Sequence, residues 1–184
     1  NNGILDQTSI IFGRCQHLLH IDTLEESVRA IPDKLKEKTY RILIAYSGIS
    51  RELMTTGYNT RVQECCEAAT ELSGLEGDAP AQKLGDVSEQ TFHRHGAQLA
   101  AHLQRRAAHF FSEVQRVQSG IKAWQKGRLE EFGRLMFESC RSSIEQYECG
   151  SPAIHDLQQI VSSADGVMGS RFSGGGFGGC VVGL

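Results

Sequence analysis

Arg171-Phe-Ser-Gly-Gly-Gly-Phe-Gly-Gly-Cys180, running on into Val181-Val-Gly-Leu184, is the stretch on which the reading of this chain turns. Five glycines fall within the six positions 174–179, interrupted only by Phe177. Such a run makes a poor strand or helix interior, because each glycine loses backbone entropy there and contributes no packing. It reads as a loop whose amides come close to something, with phosphate or another anion a natural occupant. The apolar Gly166-Val-Met before it and Val181-Val182 after it place the loop between two short buried strands. The blander alternative, a tight connection between strands, stays open. No Gly-Lys-Ser/Thr follows, so this is not a Walker loop, and no helix follows as a dinucleotide fingerprint requires.

Outward from that loop, the composition bounds the function. The chain has 184 residues, 40% of them hydrophobic, and a net charge of −3. That balance argues against a nucleic-acid surface or a polybasic membrane surface. No segment approaches the roughly 18 consecutive apolar residues of a membrane span. Asn1-Asn2-Gly3 has neither an initiator Met nor a signal peptide behind it, so the sequence reads as an internal or processed piece. The six cysteines form no C-x-x-C pair and read as reduced, small hydrophobes of a cytoplasmic protein. His95, His102 and His109 repeat every seven residues without carboxylate or thiol partners at ligand spacing, so no metal site is expected.

Along the chain, residues 8–13 and 17–21 read as two short strands around a turn at Gly13-Arg14. Pro32 and the charges from Asp33 to Lys38 mark a surface connection before a strand at Arg41–Tyr46. A helix is expected from Tyr58, with Val62, Cys65, Cys66, Ala69 and Leu72 on one face and Gly74 as its stop. Residues 73–90 read as a loop. The longest helix is expected over 98–125, striped by Leu99, Leu103, Ala107, Phe110, Val114, Val117, Ile121 and Trp124, with a bend at Gly120. Gly127 ends it. A second helix buries Leu129, Phe132, Leu135, Met136, Cys140 and Ile144. A third starts at Ser151-Pro152, with Ser at the cap and Pro in the first turn, and turns Ile154, Leu157 and Ile160-Val161 inward. Interspersed strands and helices predict an α+β fold.

The second candidate site is Asp6, within Gly3-Ile-Leu-Asp-Gln7. A capping or turn carboxylate is one reading. A cleft acid is the other, because phosphoryl transfer to a hydroxyl needs both an anion-binding loop and a group that orients or deprotonates the attacking alcohol. Tyr58, read from the residues alone, is a core aromatic. Arg105, Arg106 and His109 read as structural or surface residues. Arg171, just before the loop, reads as a surface or helix-capping residue, with a hold on phosphate or a carboxylate as the other reading.

Gly3-Ile-Leu-Asp-Gln7 resembles the Gly-Ile-Met-Asp-Gln segment of galactokinases, members of the GHMP small-molecule kinase superfamily, and Ser173–Cys180 resembles their third conserved motif. Gly57-Tyr-Asn-Thr-Arg61, Leu84-Gly-Asp-Val-Ser88, Arg105-Arg-Ala-Ala-His109 and Phe132-Gly-Arg-Leu-Met136 resemble family segments in the same order. The resemblance spans essentially the whole chain. It implies a GHMP-kinase C-terminal domain, a ferredoxin-like sheet with helices, at 36–184 and truncated at its end. Residues 1–35 would then be the end of the N-terminal kinase domain. It also implies ATP-dependent phosphorylation of a monosaccharide at its anomeric hydroxyl, galactose to galactose 1-phosphate. Asp6 would be the catalytic base and Gly3 and Tyr58 would contact the sugar. Gly174, Gly175, Gly176, Phe177, Gly178 and Gly179 would shape the substrate site. ATP and Mg2+ are implied as well, with their main contacts from the family's N-terminal part. The family's first motif and its Gly-Leu-Ser-Ser-Ser phosphate loop are absent, so the fragment alone is expected to be inactive. Tyr147-Glu-Cys-Gly-Ser-Pro152 and Arg171-Phe-Ser173 look more like galacturonokinases and arabinokinases, whereas Gly175 and Gly178 keep the galactokinase form. Galacturonate and arabinose are therefore the alternative substrates, and a non-catalytic sugar-sensing relative is the alternative of another class.

Overall fold

The structure, a computed structural model, describes residues 4–33, 40–49 and 57–184, apart from the side chain of Tyr58. Gly3 and positions 34–38 of the expected surface connection lie outside the described residues. The chain opens with helix α1 (Leu5–Phe12), followed by strands β1 (His17–Asp22) and β2 (Ser27–Pro32). The expected strand over 8–13 is corrected by α1. Its Thr-Ser-Ile-Ile-Phe run, rich in β-branched residues, suits a strand, but Thr8 N–H donates to Ile4 O at 2.9 Å and Gly13 N–H to Ser9 O at 2.9 Å. Propensity is a weak prior that local hydrogen bonding and tertiary context override.

β1 and β2 form an antiparallel hairpin in the register His17↔Pro32 to Asp22↔Ser27. Asp22 builds the turn, its carboxylate accepting the Leu24 and Glu25 amides at 3.0 Å each. Strand β3 (Leu43–Tyr46) lies within the expected run and pairs with β5 (Cys180–Gly183), which also pairs with β4 (Ser170–Phe172). Both pairings are antiparallel, so β5 is the centre of a three-stranded sheet among the described residues. β4 starts later than Gly166-Val-Met suggested, although backbone pairing reaches back to Met168, whose N–H donates to Leu184 O at 2.7 Å.

Helix α2 (Tyr58–Glu76) begins where expected and runs past Gly74 to a left-handed Gly77 (φ 87°), whose N–H bonds back to the Ser73 and Gly74 carbonyls. The 73–90 region is consequently not all loop. It holds the end of α2, a 3-10 turn (Leu84–Asp86) and the start of α3 (Glu89–His95), capped by Ser88 Oγ on the Thr91 amide at 3.0 Å. Helix α4 (Ala101–Gln125) starts three residues late, behind a 3-10 turn at Gly96–Gln98, and continues through Gly120. Gly127 (φ 67°) closes it. Helices α5 (Leu129–Glu145) and α6 (Pro152–Ser163) follow as expected, with Pro152 in the first turn of α6. Ser151 occupies the cap position, but its hydroxyl makes no capping bond.

Three apolar clusters hold these elements. Ala68, Leu72, Leu103, Ala107 and Phe111 pack α2 on α4. Cys140, Ile154, Val161, Phe172 and Val181 pack α5 and α6 on the sheet. Ile31, Trp124, Leu129 and Leu184 join the hairpin to α4, α5 and the end of the chain. At roughly 1.5–3 kcal/mol per fully buried large side chain, these clusters are the main favourable contribution to the fold. Ile160, expected inward, is exposed, while its neighbour Val161 is buried.

Candidate active site

The glycine run is the connection from β4 to β5. Ser173 N–H donates to Cys180 O at 2.9 Å, which leaves six residues, 174–179, at the tip. An antiparallel pair needs only a two-residue turn, so the loop is longer than strand connection requires. Its glycines are demanded by the backbone: Gly174, Gly176, Gly178 and Gly179 have φ between 70° and 137°. Gly176 is also sterically required, since a Cβ there would lie 2.8 Å from the Phe172 ring and 2.9 Å from Gly150 Cα. The loop is tied down on both sides. Gly176 O accepts the Ser151 amide at 2.8 Å, Gly179 O accepts the Ser47 amide at 2.9 Å, and Gly179 N–H donates to Ile49 O at 3.0 Å. Phe177 packs against the cluster beneath the sheet. The result is a fixed backbone arc, held by the end of β3 and the start of α6, with little side-chain bulk in front of it.

Asp6 lies in the first turn of α1 and is exposed. It makes no hydrogen bond or ion pair among the described residues, so its pairing with the glycine run rests on the resemblance. Tyr58 is the first residue of α2. Its helix is joined to the glycine loop by a network that the sequence did not reveal. Arg106 on α4 is 1% exposed and donates from Nε to Glu64 Oε2 at 2.6 Å and from Nη2 to Glu148 Oε2 at 2.6 Å. Its Nη1 donates to the Gln146 carbonyl. Arg61 in the first turns of α2 reaches both carboxylates, at 2.9 Å and 3.1 Å. The signal available in the sequence was a charge on a buried face, since Arg106 stands three residues after Leu103 and one before Ala107.

Arg171 is likewise not a plain surface or capping residue. Its Nη1 donates to Ser139 Oγ at 2.6 Å and lies 3.7 Å from Glu113 Oε2. Burial alone would raise the Glu113 carboxyl, but hydrogen bonds from Ser139 and Arg116 and the charges of Arg116 and Arg171 hold it below its ordinary value. These residues border a cavity of about 280 Å3 between the hairpin, α4 and α5, with Leu18, Ile31 and Phe132 in its walls. Neither Asp6 nor any of residues 174–179 lines that cavity, which separates it from the glycine loop's chemistry. Burial raises the Cys140 thiol and pushes that of Cys149 up to about 11, so both behave as core atoms rather than nucleophiles. Among the described residues no group of three or more His, Cys, Asp or Glu side chains can hold a metal ion, and no helix is long and apolar enough to cross a membrane.

Residues 121–184 match the family model described as GHMP kinases C terminal. The whole chain is similar to sugar kinases. It is 44% identical to a galacturonokinase from Arabidopsis thaliana, over 98% of this chain and 43% of that protein. It is 38% identical to a galactokinase from Roseiflexus sp. (strain RS-1), over 99% of this chain and 45% of that protein. All of it superposes on Lactococcus lactis galactokinase, solved with galactose, at a TM-score of 0.85 and 30% identity, covering 46% of that chain. The chain therefore spans less than half the length of these relatives.

Proposed function

We propose that this chain belongs to a sugar 1-kinase that transfers the γ-phosphoryl group of ATP to the anomeric hydroxyl of galactose. The observation behind this reading is the superposition of the whole of this chain on part of a galactokinase solved with galactose. In the proposed site Asp6 accepts a hydrogen bond from the anomeric hydroxyl, orients it and takes its proton as the new O–P bond forms and the bond from the γ-phosphorus to the bridging oxygen breaks, releasing ADP. Tyr58 and Gly3 place the sugar, and the arc of residues 174–179 walls the site where the phosphoryl group passes. That role accounts for a connection longer than two residues with no side chains beyond Phe177. ATP is a substrate of this reading. Among the described residues no group of three or more His, Cys, Asp or Glu side chains could hold Mg2+, whose main contacts would come from the family's N-terminal part. A reducing cytoplasmic setting suits the six free cysteines.

Galacturonate is the second reading. The 44% identity to a galacturonokinase and the Tyr147-Glu-Cys-Gly-Ser-Pro152 segment favour it.

Asp6→Asn in the full-length protein tests the assigned chemistry. Loss of a general base is expected to lower kcat by about 10²- to 10⁴-fold, with the sugar KM changed far less. Near wild-type turnover of every sugar the parent enzyme phosphorylates would remove Asp6 from the mechanism.

A further inference from the structure

We propose that Arg106, acting through Glu64 and Glu148, is a positioning residue that sets the spacing between the first turns of α2 and the glycine loop. A guanidinium buried to 1% exposure is tolerated only where charge and hydrogen bonds are met, and here three donors find two carboxylates and a carbonyl. Each of those acceptors belongs to a piece of chain that shapes the site. Glu64 lies on α2, six residues after Tyr58. Gln146 and Glu148 lie on the α5–α6 connection, which contacts the glycine loop directly. Arg61 closes the circuit by bonding the same oxygen of Glu64 and the same oxygen of Glu148 that Arg106 uses. Arg105 holds the other oxygen of Glu148 at 2.8 Å.

The connection is built so that its position is transmitted rather than absorbed. Glu148 has φ 55°, a left-handed conformation that L residues adopt only under constraint. Two residues on, Gly150 has φ 97° and no room for a Cβ beside the His155 ring. Cys149 is pinned through its N–H to Ser143 O at 3.0 Å and through its carbonyl to His155 Nε2 at 3.0 Å. Ser151 N–H then donates to Gly176 O, and Gly150 Cα lies where a Cβ on Gly176 would fall. A displaced Glu148 therefore moves Gly150 and Ser151 against Gly176 while releasing Arg61 and the start of α2. Apolar residues of similar volume would serve stability as well as buried ion pairs do. What the charged network adds is direction, because a planar fork satisfied at all three nitrogens fixes α2, α4 and the 146–151 connection to one geometry.

The kinetic arm of the test rests on the sugar-kinase reading; a second arm does not. In the full-length protein, Glu148→Gln and Arg106→Lys keep the size of each side chain and weaken the fork. Misplacement of the two walls on the order of 1 Å costs up to about 10²-fold in kcat/KM. It is expected here mainly as a sugar KM raised about tenfold or more, with the KM for ATP within about twofold. Arg134→Gln, which removes the exposed pair with Glu138, is the control and leaves both constants unchanged. Amide hydrogen exchange on the same proteins provides the second arm. Glu148→Gln is expected to speed exchange at Ser151 and Gly179 relative to α4 amides, whether or not the protein turns over a sugar. A wild-type protein inactive on every sugar defeats the kinase reading and leaves the exchange arm to decide the clamp. Exchange at Ser151 and Gly179 unchanged, or a sugar KM unchanged in folded Glu148→Gln protein, overturns the inference.

Discussion

Burial sets the protonation of His109, whose ring stacks on Tyr147 with 4.7 Å between centroids and shares a hydrogen bond with Ser142 Oγ at 2.8 Å. Desolvation lowers its pKa to about 4. Glu113 opposes that shift, and Arg116 and Arg171 reinforce it. The native state thus keeps the ring neutral where an unfolded chain, titrating near 6.5, takes up a proton. The stabilisation is complete above about pH 6.5 and is lost as the pH falls from there towards about 4. Thermal melts from pH 7.5 to 5 are expected to show Tm falling in the wild type and falling less steeply in His109→Gln. That window lies above the range in which Glu113, held low, gives up its charge. Equal slopes in the two proteins would contradict the assignment. From the sequence His109 could be placed on a helix but not given an environment, because its neighbours Tyr147 and Ser142 are 38 and 33 positions away.

At the scale of elements, the two glycines inside α4 and α5 look alike in sequence and differ in the structure. Gly120 of α4 lies within an unbroken helix, and an added Cβ would sit 3.5 Å from the Phe132 ring in ordinary contact. Gly133 of α5 crosses the chain just before β4 so closely that a Cβ would collide with the Met168 carbonyl, and one on Gly169 with Gly133 itself. Gly120→Ala is therefore expected to stabilise by up to about 1 kcal/mol through helix propensity. Gly133→Ala is expected to destabilise by about 1–3 kcal/mol through overpacking. Urea midpoints moving in opposite directions would bear this out, and a shift of the same sign in both would not. Periodicity located α4, α5 and α6 but misjudged the face of α4. Val114 and Val117 of the expected stripe are exposed, while Phe111 and Ala123 are buried. The first half of α4 packs on α2 through Leu103, Ala107 and Phe111, and its end packs on the hairpin and α5 through Trp124. A single stripe cannot describe a helix that buries different faces along its length.

Across the whole molecule, the α+β class and the order of α2, α4, α5, α6 and the closing strands were legible because long amphipathic periods and glycine stops are local signals, whereas α1, β2 and α3 were not. The position of the glycine loop between two strands was legible as well. The helical setting of Asp6 was not legible, since Thr-Ser-Ile-Ile-Phe favours a strand until tertiary context decides. The Arg106 network was not legible, because its partners meet only after α2, α4 and the 146–151 connection have packed. α1 and β3 leave Ile10, Ile11 and Ile44 at 83%, 71% and 67% exposure, and the chain spans less than half the length of the curated relatives it matches. Function is accordingly tested on the full-length protein. The most direct measurement supplies ATP with galactose, galacturonate and arabinose in parallel and follows ADP release together with the phosphorus NMR spectrum of the product. ATP-dependent formation of a sugar 1-phosphate is expected, from galactose in the leading reading and from galacturonate in the second. No sugar-dependent ADP release with any of the three, or phosphate on a hydroxyl other than the anomeric one, would contradict it.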